Sequence, residues 1–330
     1  MRNRVGILLI VLWGTVSAFA GQRYLSEQSR ISLLTCAPGN ELYSRYGHTA
    51  LRVQDSVNQL DVVFNYGIFD FNTDHFYWKF MRGETYYQLG IESADSFFFG
   101  YARHQRPVYE QVLNLTLPQR QSLFEALVVN YEPRNRYYLY NFVFDNCATR
   151  PYQLIKQILE DSIISTYIGA EGQTYRTFLR HYTRPASWAD FGINLLFGAR
   201  ADQPMYGEQR LFLPEELMFF LSEARMPDGT QIVQIGDIHH FEIQPVPWYA
   251  TWYLGIALFA LFLVAISLWD RHRAKWSWWV EVVMGIIYLA LLLVVGFLTF
   301  FSIHPLVGFG WRLLIIPAVH LCARLIYIIR

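Results

Sequence analysis

The sequence predicts an α+β domain, exported from the cytoplasm, followed by a three-helix transmembrane segment. Three observations carry this. Strand-like alternation is grouped early in the chain and helix-like patterning follows it. Three apolar runs, each of roughly 20 residues, close the chain. The first 20 residues have the layout of a secretory signal. The 330-residue chain is 53% apolar and 17% aromatic, with the apolar excess at its two ends. Its formal net charge is zero, so it has no electrostatic footprint for nucleic acid.

The elements follow in order. Arg2 and Arg4 precede an apolar run, Val5 to Val16, and Ala18-Phe19-Ala20 resembles a signal-peptidase site; residues 1–20 are therefore read as a signal peptide, with an uncleaved anchor as the alternative. Residues 21–246 form the exported domain. Arg30 to Cys36, Thr49 to Gln54, Leu60 to Tyr66, Thr85 to Ile91 and Val108 to Leu115 read as strands. Asp74 to Met81 is aromatic and helix-compatible, and residues 93–103 are ambiguous between helix and strand. Leu117 to Tyr131 reads as a helix with Thr116 as N-cap and Pro118 in its first turn. Tyr138 to Phe144 is an extended approach to a helix over Ala148 to Glu160. Short helices follow at Tyr175 to Tyr182, Trp188 to Phe197 and Pro214 to Ala224, and an Asp228-Gly229 turn lies between Met226 and Ile235.

Residues 247–330 form the transmembrane part, with spans at about Trp248 to Trp269, Trp279 to Phe301 and Trp311 to Ile329. At about 1.5 Å per residue, each run can cross a hydrocarbon core of about 30 Å. Tryptophans cluster at the ends of these runs, as at a membrane interface. The first connection carries Arg271, Arg273 and Lys275, whereas Ser302 to Gly310 carries no Lys or Arg. The positive-inside rule therefore places the first connection and the C-terminus in the cytoplasm and the 21–246 domain outside the membrane; Arg312 is a mild exception.

One stretch carries reactive potential: Phe144-Asp145-Asn146-Cys147-Ala148-Thr149-Arg150. Asp145 or Asn146 is the expected N-cap, because its side-chain oxygen can accept unpaired N–H groups of the first turn. That places Cys147 in the first turn, where the helix dipole favours a thiolate. The partner is His48, in Tyr46-Gly47-His48-Thr49-Ala50, at the start of a strand. An imidazole beside a thiol raises the thiolate fraction and can act as general base. A third group should hold the other ring nitrogen, and the next strand offers Asn65 and Asp61. Inert burial of Cys147, or a disulfide with Cys36, is the alternative.

The block Gly39 to Val53, the run Phe64-Asn65-Tyr66-Gly67-Ile68-Phe69-Asp70-Phe71 and Asp145-Asn146-Cys147-Ala148-Thr149-Arg150 resemble the Lnb family, lipoprotein N-acyltransferases found mainly in Bacteroidota. The resemblance covers most of residues 30–330, and the His48 block is its most specific part. The His-before-Cys order also resembles the circularly permuted NlpC-type papain-like fold shared with the lecithin:retinol acyltransferases. The resemblance implies that Cys147 carries an acyl group as a thioester, with His48 as base and Asn65 as orienting residue. A second histidine, used in that third position by some such acyltransferases, is absent at Asn65. The implied acyl donor is a membrane phospholipid, and the implied acceptor is the N-terminal amine of a diacylglyceryl-cysteine lipoprotein.

Lys79 and Arg82, in the aromatic stretch, are candidates for a phospholipid headgroup, since phosphate attracts Arg and Lys donors. Arg52, Arg150 and Glu41 have similar standing, and a solvated or interfacial face is the alternative for all five. His304 is a further candidate for substrate contact, and Glu281 is expected to snorkel to the interface. No cofactor is implied and no Cys/His/Asp set has metal-ligand spacing. Two rivals remain: a membrane-tethered NlpC-type peptidoglycan peptidase or amidase, and a non-catalytic envelope scaffold with a Cys36–Cys147 disulfide.

Overall fold

The strand-like stretches combine into one seven-stranded sheet in which every neighbouring pair is antiparallel. The computed structural model describes residues 24–328 apart from 71, 161, 237 and 243–245; the signal peptide read at residues 1–20 lies outside the described residues. The strands are β1 (Arg30–Cys36), β2 (His48–Asp55), β3 (Leu60–Ile68), β4 (Tyr86–Ser93), β5 (Val108–Leu113), β6 (Tyr137–Leu139) and β7 (Val233–Gly236), in the spatial order β6-β4-β3-β2-β1-β5-β7. Central β1 is covered on both faces, which explains its continuous burial from Ile31 to Cys36, Ser32 and Thr35 included.

Helices cover the two faces unequally. On one face Ile31, Leu33, Leu51, Val53 and Phe64 pack with Leu123, Phe124 and Leu127 of the helix Leu117–Tyr131 and with Tyr152 and Ile155 of the helix Thr149–Ile158. On the other, Leu34, Cys36, Ala50 and Val63 pack with Ala94 and Phe97 of the helix Ala94–Arg103. Burying each large side chain of this kind contributes about 1.5–3 kcal/mol. In chain order the helices are α1 (Phe76–Arg82), α2 (Ala94–Arg103), α3 (Leu117–Tyr131), α4 (Thr149–Ile158), α5 (Tyr175–Thr183), α6 (Ser187–Leu196), α7 (Pro214–Glu223), α8 (Trp252–Arg273), α9 (Trp278–Phe301) and α10 (Ile315–Ile328).

The ambiguous residues 93–103 form α2, capped by the Ser93 side chain, which accepts from the Ser96 N–H. The extended approach expected over 138–144 stops at Leu139. Residues 141–145 turn instead, with Asn141 and Asp145 exchanging backbone hydrogen bonds and Asn141 Oδ1 accepting from the Val143 and Phe144 N–H groups.

α8 and α9, of 22 and 24 residues, are long and apolar enough to cross a membrane. The third run differs from expectation. Its described part comprises a 3₁₀ turn, Trp311–Leu314, running directly into α10 rather than one regular helix. The break falls just before Pro317, which has no N–H to continue a helix backwards. Glu281 does not snorkel alone: it pairs with Arg324 at 2.8 Å and His320 at 3.2 Å, and Arg324 also meets Asp270 at 2.9 Å, tying the three helices together.

The α+β domain is fastened to the loop between α9 and α10. Phe197 and Val307 form a bridge, flanked by hydrogen bonds from Gly198 N–H to Leu306 O (2.9 Å) and from Gly308 N–H to Leu196 O (3.0 Å). Asp202 of the domain joins buried Arg176 at 2.6 Å and Arg312 at 3.3 Å. Arg312, the exception in the charge pattern, is thus neutralised from the domain side.

Candidate active site

The local sequence sets the position of Cys147. Asn146 is buried, and its Oδ1 accepts the N–H groups of Ala148 (2.8 Å) and Thr149 (2.9 Å), while its Nδ2 donates to the carbonyls of Phe142 and Phe212 (both 2.8 Å). Asn146 O also accepts from Arg150 N–H at 3.2 Å, the first bond of the helical spiral. Regular helix begins only at Thr149, because Pro151 offers no N–H to the Cys147 carbonyl. Of the two expected caps, Asn146 therefore fills the role, and Cys147 stands at the dipole's positive end just ahead of α4. Asp145 instead pairs with Arg150 at 2.6 Å.

His48 arrives from β2. Gly47 before it has φ +77°, and a Cβ there would lie 2.7 Å from the Cys36 carbonyl, so only glycine lets the chain pass this close. A bulge in β3 between Asn65 and Ile68 bends the strand end at Gly67, where φ is +93°. A Cβ built on Gly67 would lie 3.6 Å from Cys147 Cβ, 3.8 Å from His48 Cε1 and 3.9 Å from Tyr138 Oη. A Cβ would thus meet only ordinary contacts there, and it is the positive φ that calls for glycine beside the thiol and imidazole.

The third group is Asn65, whose Oδ1 lies 2.7 Å from His48 Nε2. Asp61 is engaged elsewhere, with Arg52 at 2.6 Å. Burial opposes ionisation of Cys147, but the adjacent His48 and the N–H groups of Thr49 and Cys147 itself outweigh it and hold the thiol below its usual pKa. Burial likewise opposes charging of His48, while the neighbouring thiolate and Asn65 raise its pKa. The arrangement favours a thiolate–imidazolium pair. Cys36 and Cys147 both carry free thiols, which removes the Cys36–Cys147 disulfide; buried Cys36 is pushed up to about 12.

The site opens into a cavity of about 610 Å³, within the size range of ligand pockets. One wall is a relay of rings: Tyr140 stacks on Tyr87 (4.1 Å between centroids), Tyr87 meets Phe69 (4.9 Å), Phe69 meets Phe76 (5.9 Å) and Phe76 meets Phe80 (6.0 Å). Phe80 then contacts His304 in the loop after α9, and His304 Nε2 donates to the Phe80 carbonyl at 2.8 Å. The cavity therefore runs from the thiol to the end of an apolar helix.

The family model described as the Lnb N-terminal periplasmic domain matches residues 17–181, half of the chain. His48, Asn65 and Cys147 all fall within it. This chain belongs to the Lnb family. No curated protein and no solved structure matches it. The Lnb assignment makes the α+β part a periplasmic domain, joined here to two membrane-capable helices.

In this Lnb protein the sequence-selected residues scatter. Cys147, His48 and Asn65 converge, and His304 joins the cavity wall. Arg52 lies farther along β2, neutralised by Asp61 and by Glu110 at 3.0 Å. Arg82 pairs with Glu84 at 2.7 Å, and Arg150 is held by Asp145 over the Tyr138 ring. Lys79, Arg82, Arg52, Arg150 and Glu41 do not line the cavity. Sequence reasoning missed Gly67 and Arg106, which do. Gly67 had a signal in its place two residues after Asn65, and Arg106 had none.

Proposed function

We propose that this Lnb protein is a lipoprotein N-acyltransferase acting through a thioester on Cys147. The observation that carries this reading is the cavity: it joins a thiol–imidazole–amide cluster to an aromatic corridor ending at the apolar helices. A peptide hydrolase has no use for such a corridor, whereas an acyl chain does. Each CH₂ removed from water contributes about 0.8 kcal/mol, so donor and acceptor must be met at the bilayer surface.

In the first step the Cys147 thiolate attacks an ester carbonyl of a glycerophospholipid. The Cys147 N–H, at the helix start, is the donor we assign to the oxyanion that forms as the thiolate sulfur is acylated. Protonated His48 delivers its proton to the departing glycerol oxygen, and lysophospholipid leaves. In the second step the α-amine of a diacylglyceryl-cysteine attacks the thioester, His48 accepts the amine proton, and the thiolate departs. Asn65 keeps the ring oriented. The His-before-Cys order and a thiol at a helix start against an antiparallel sheet also support a papain-like, circularly permuted NlpC-type fold. The cationic 271–275 connection supports a cytoplasmic position for that connection and for the C-terminus.

Intact mass of the purified protein after incubation with phospholipid vesicles tests the reading. The expected result is an acyl-sized adduct, labile to hydroxylamine and discharged by added lipopeptide, and absent in Cys147→Ala and His48→Ala. If wild-type protein with a free Cys147 forms no adduct with any vesicle composition, acyl transfer is excluded.

A further inference from the structure

Among the described residues that line the cavity, Arg106 is the one permanently charged side chain, and none is a carboxylate. Arg106 sits in the turn between α2 and β5 and is fixed three ways. Its backbone N–H donates to Tyr101 O at 3.0 Å, its guanidinium lies 4.7 Å over the Tyr101 ring, and its Nε donates to Ala37 O at 2.8 Å. Nη2 is buried with no hydrogen-bond partner, and no carboxylate pairs with Arg106 among the described residues. Ala37 follows Cys36, which pairs with His48 across the β1–β2 ladder, so this anchoring sets Arg106 at the reactive end of the cavity that His48 and Cys147 also line.

A half-buried cation whose Nη2 is covered and which lacks a counter-ion carries a desolvation cost, and native proteins commonly pair such groups. Arg52, Arg82 and Arg150 obey that rule, each with its own carboxylate. Arg106 departs from it, in a cavity that otherwise suits an acyl chain. Stacking and the Nε hydrogen bond hold this planar guanidinium in one orientation at the cavity wall, and a guanidinium fork is suited to phosphate oxygens.

We propose that Arg106 binds the phosphate of the acyl-donor glycerophospholipid, setting the ester carbonyl beside Cys147 while the chain lies along the aromatic wall. The proposal rests on the acyl-transfer reading and adds the group that recognises the donor. It also gives the donor a discriminating feature: diacylglycerol carries the same esters but no phosphate.

The test uses full-length protein in nanodiscs, with Arg106→Gln and Arg106→Lys beside wild type. Thioester formation on Cys147 is timed with phosphatidylglycerol and with diacylglycerol of the same chains. The ratio of the two rates should fall roughly ten- to a hundredfold in Arg106→Gln, as expected for losing a hydrogen bond to a charged group, and recover in part in Arg106→Lys. An unchanged ratio overturns the assignment, whether both rates fall together or neither moves. A binding arm needs no turnover: Cys147→Ala protein, with and without Arg106→Gln, is titrated with a short-chain phosphatidylglycerol and with inorganic phosphate. Loss of phospholipid binding in Arg106→Gln supports the proposal, and binding of inorganic phosphate as tightly as the lipid reassigns the site to a free anion and overturns it. If wild type forms no thioester from either donor, the acyl-transfer reading fails, while the binding arm still decides whether Arg106 holds a phosphate.

Discussion

His48 Nε2 lies 2.7 Å from Asn65 Oδ1, across the β2–β3 pair. An amide oxygen only accepts, so Nε2 carries the hydrogen and Nδ1 is left for Cys147. Asn65→Ala should slow thioester formation roughly ten- to a hundredfold by freeing the ring, part of what a positioned base contributes. Asn65→Asp keeps an acceptor and should retain more activity than the alanine variant. Stopped-time mass spectrometry on both variants checks the order; equal loss in the two would remove the orienting role.

The pH dependence has a definite sign. The Cys147 thiolate is present above a depressed pKa and is lost as pH falls through it; the His48 imidazolium is present below a raised pKa and is lost as pH rises through it. Thioester formation should follow a bell, and its two limbs belong to the pair rather than to either residue. In His48→Ala the opposing charge is gone while burial remains, so iodoacetamide alkylation of Cys147 should need a higher pH than in wild type. An unshifted alkylation profile would break the ion pair as an explanation.

Asn146 makes four hydrogen bonds from one buried side chain. Asn146→Ala should cost about 2–4 kcal/mol, combining a lost cap with carbonyls left unpaired in the interior. Asn146→Asp preserves the cap but turns a carboxylate toward the Phe142 and Phe212 carbonyls, so it should be destabilised as well. Denaturation monitored by tryptophan fluorescence measures both.

The seam between the domain and the α9–α10 loop is backbone against backbone. A Cβ on Gly198 would lie 3.0 Å from Gly308 Cα, with no flexible side chain to yield. Gly198→Val should therefore loosen the domain from the membrane loop. Acylation from vesicles should fall at least several-fold while iodoacetamide still alkylates Cys147 at the wild-type rate. A parallel fall in both would mean that the substitution damages the site itself.

Much of the architecture was legible because it is local. Arg30–Cys36 and Leu117–Tyr131 appear as expected, the second with the Thr116–Gln119 capping box that its sequence announces. His48 and Cys147 were legible through a glycine before one and a helix start after the other. Residues 93–103 were not, since a short aromatic run suits strand or helix until Ala94 and Phe97 have a sheet to pack on. The 3₁₀ turn at the start of the third apolar run was not legible either, since composition alone does not register the turn ahead of Pro317.

By itself the sequence determined five of the seven strands, the two long apolar helices, the family and the thiol–imidazole pair, because periodicity, capping and a glycine's freedom act over a few residues. Only the tertiary structure gave Asn65, already the favoured third group, its contact with His48, neutralised Arg52, Arg82 and Arg150, and left Arg106 without a carboxylate at the His48 end of the cavity. Those outcomes depend on which side chains a bulged antiparallel sheet and a docked membrane loop bring within a few ångströms. Coulomb forces and hydrogen bonds act over that distance in space, whatever the separation along the chain.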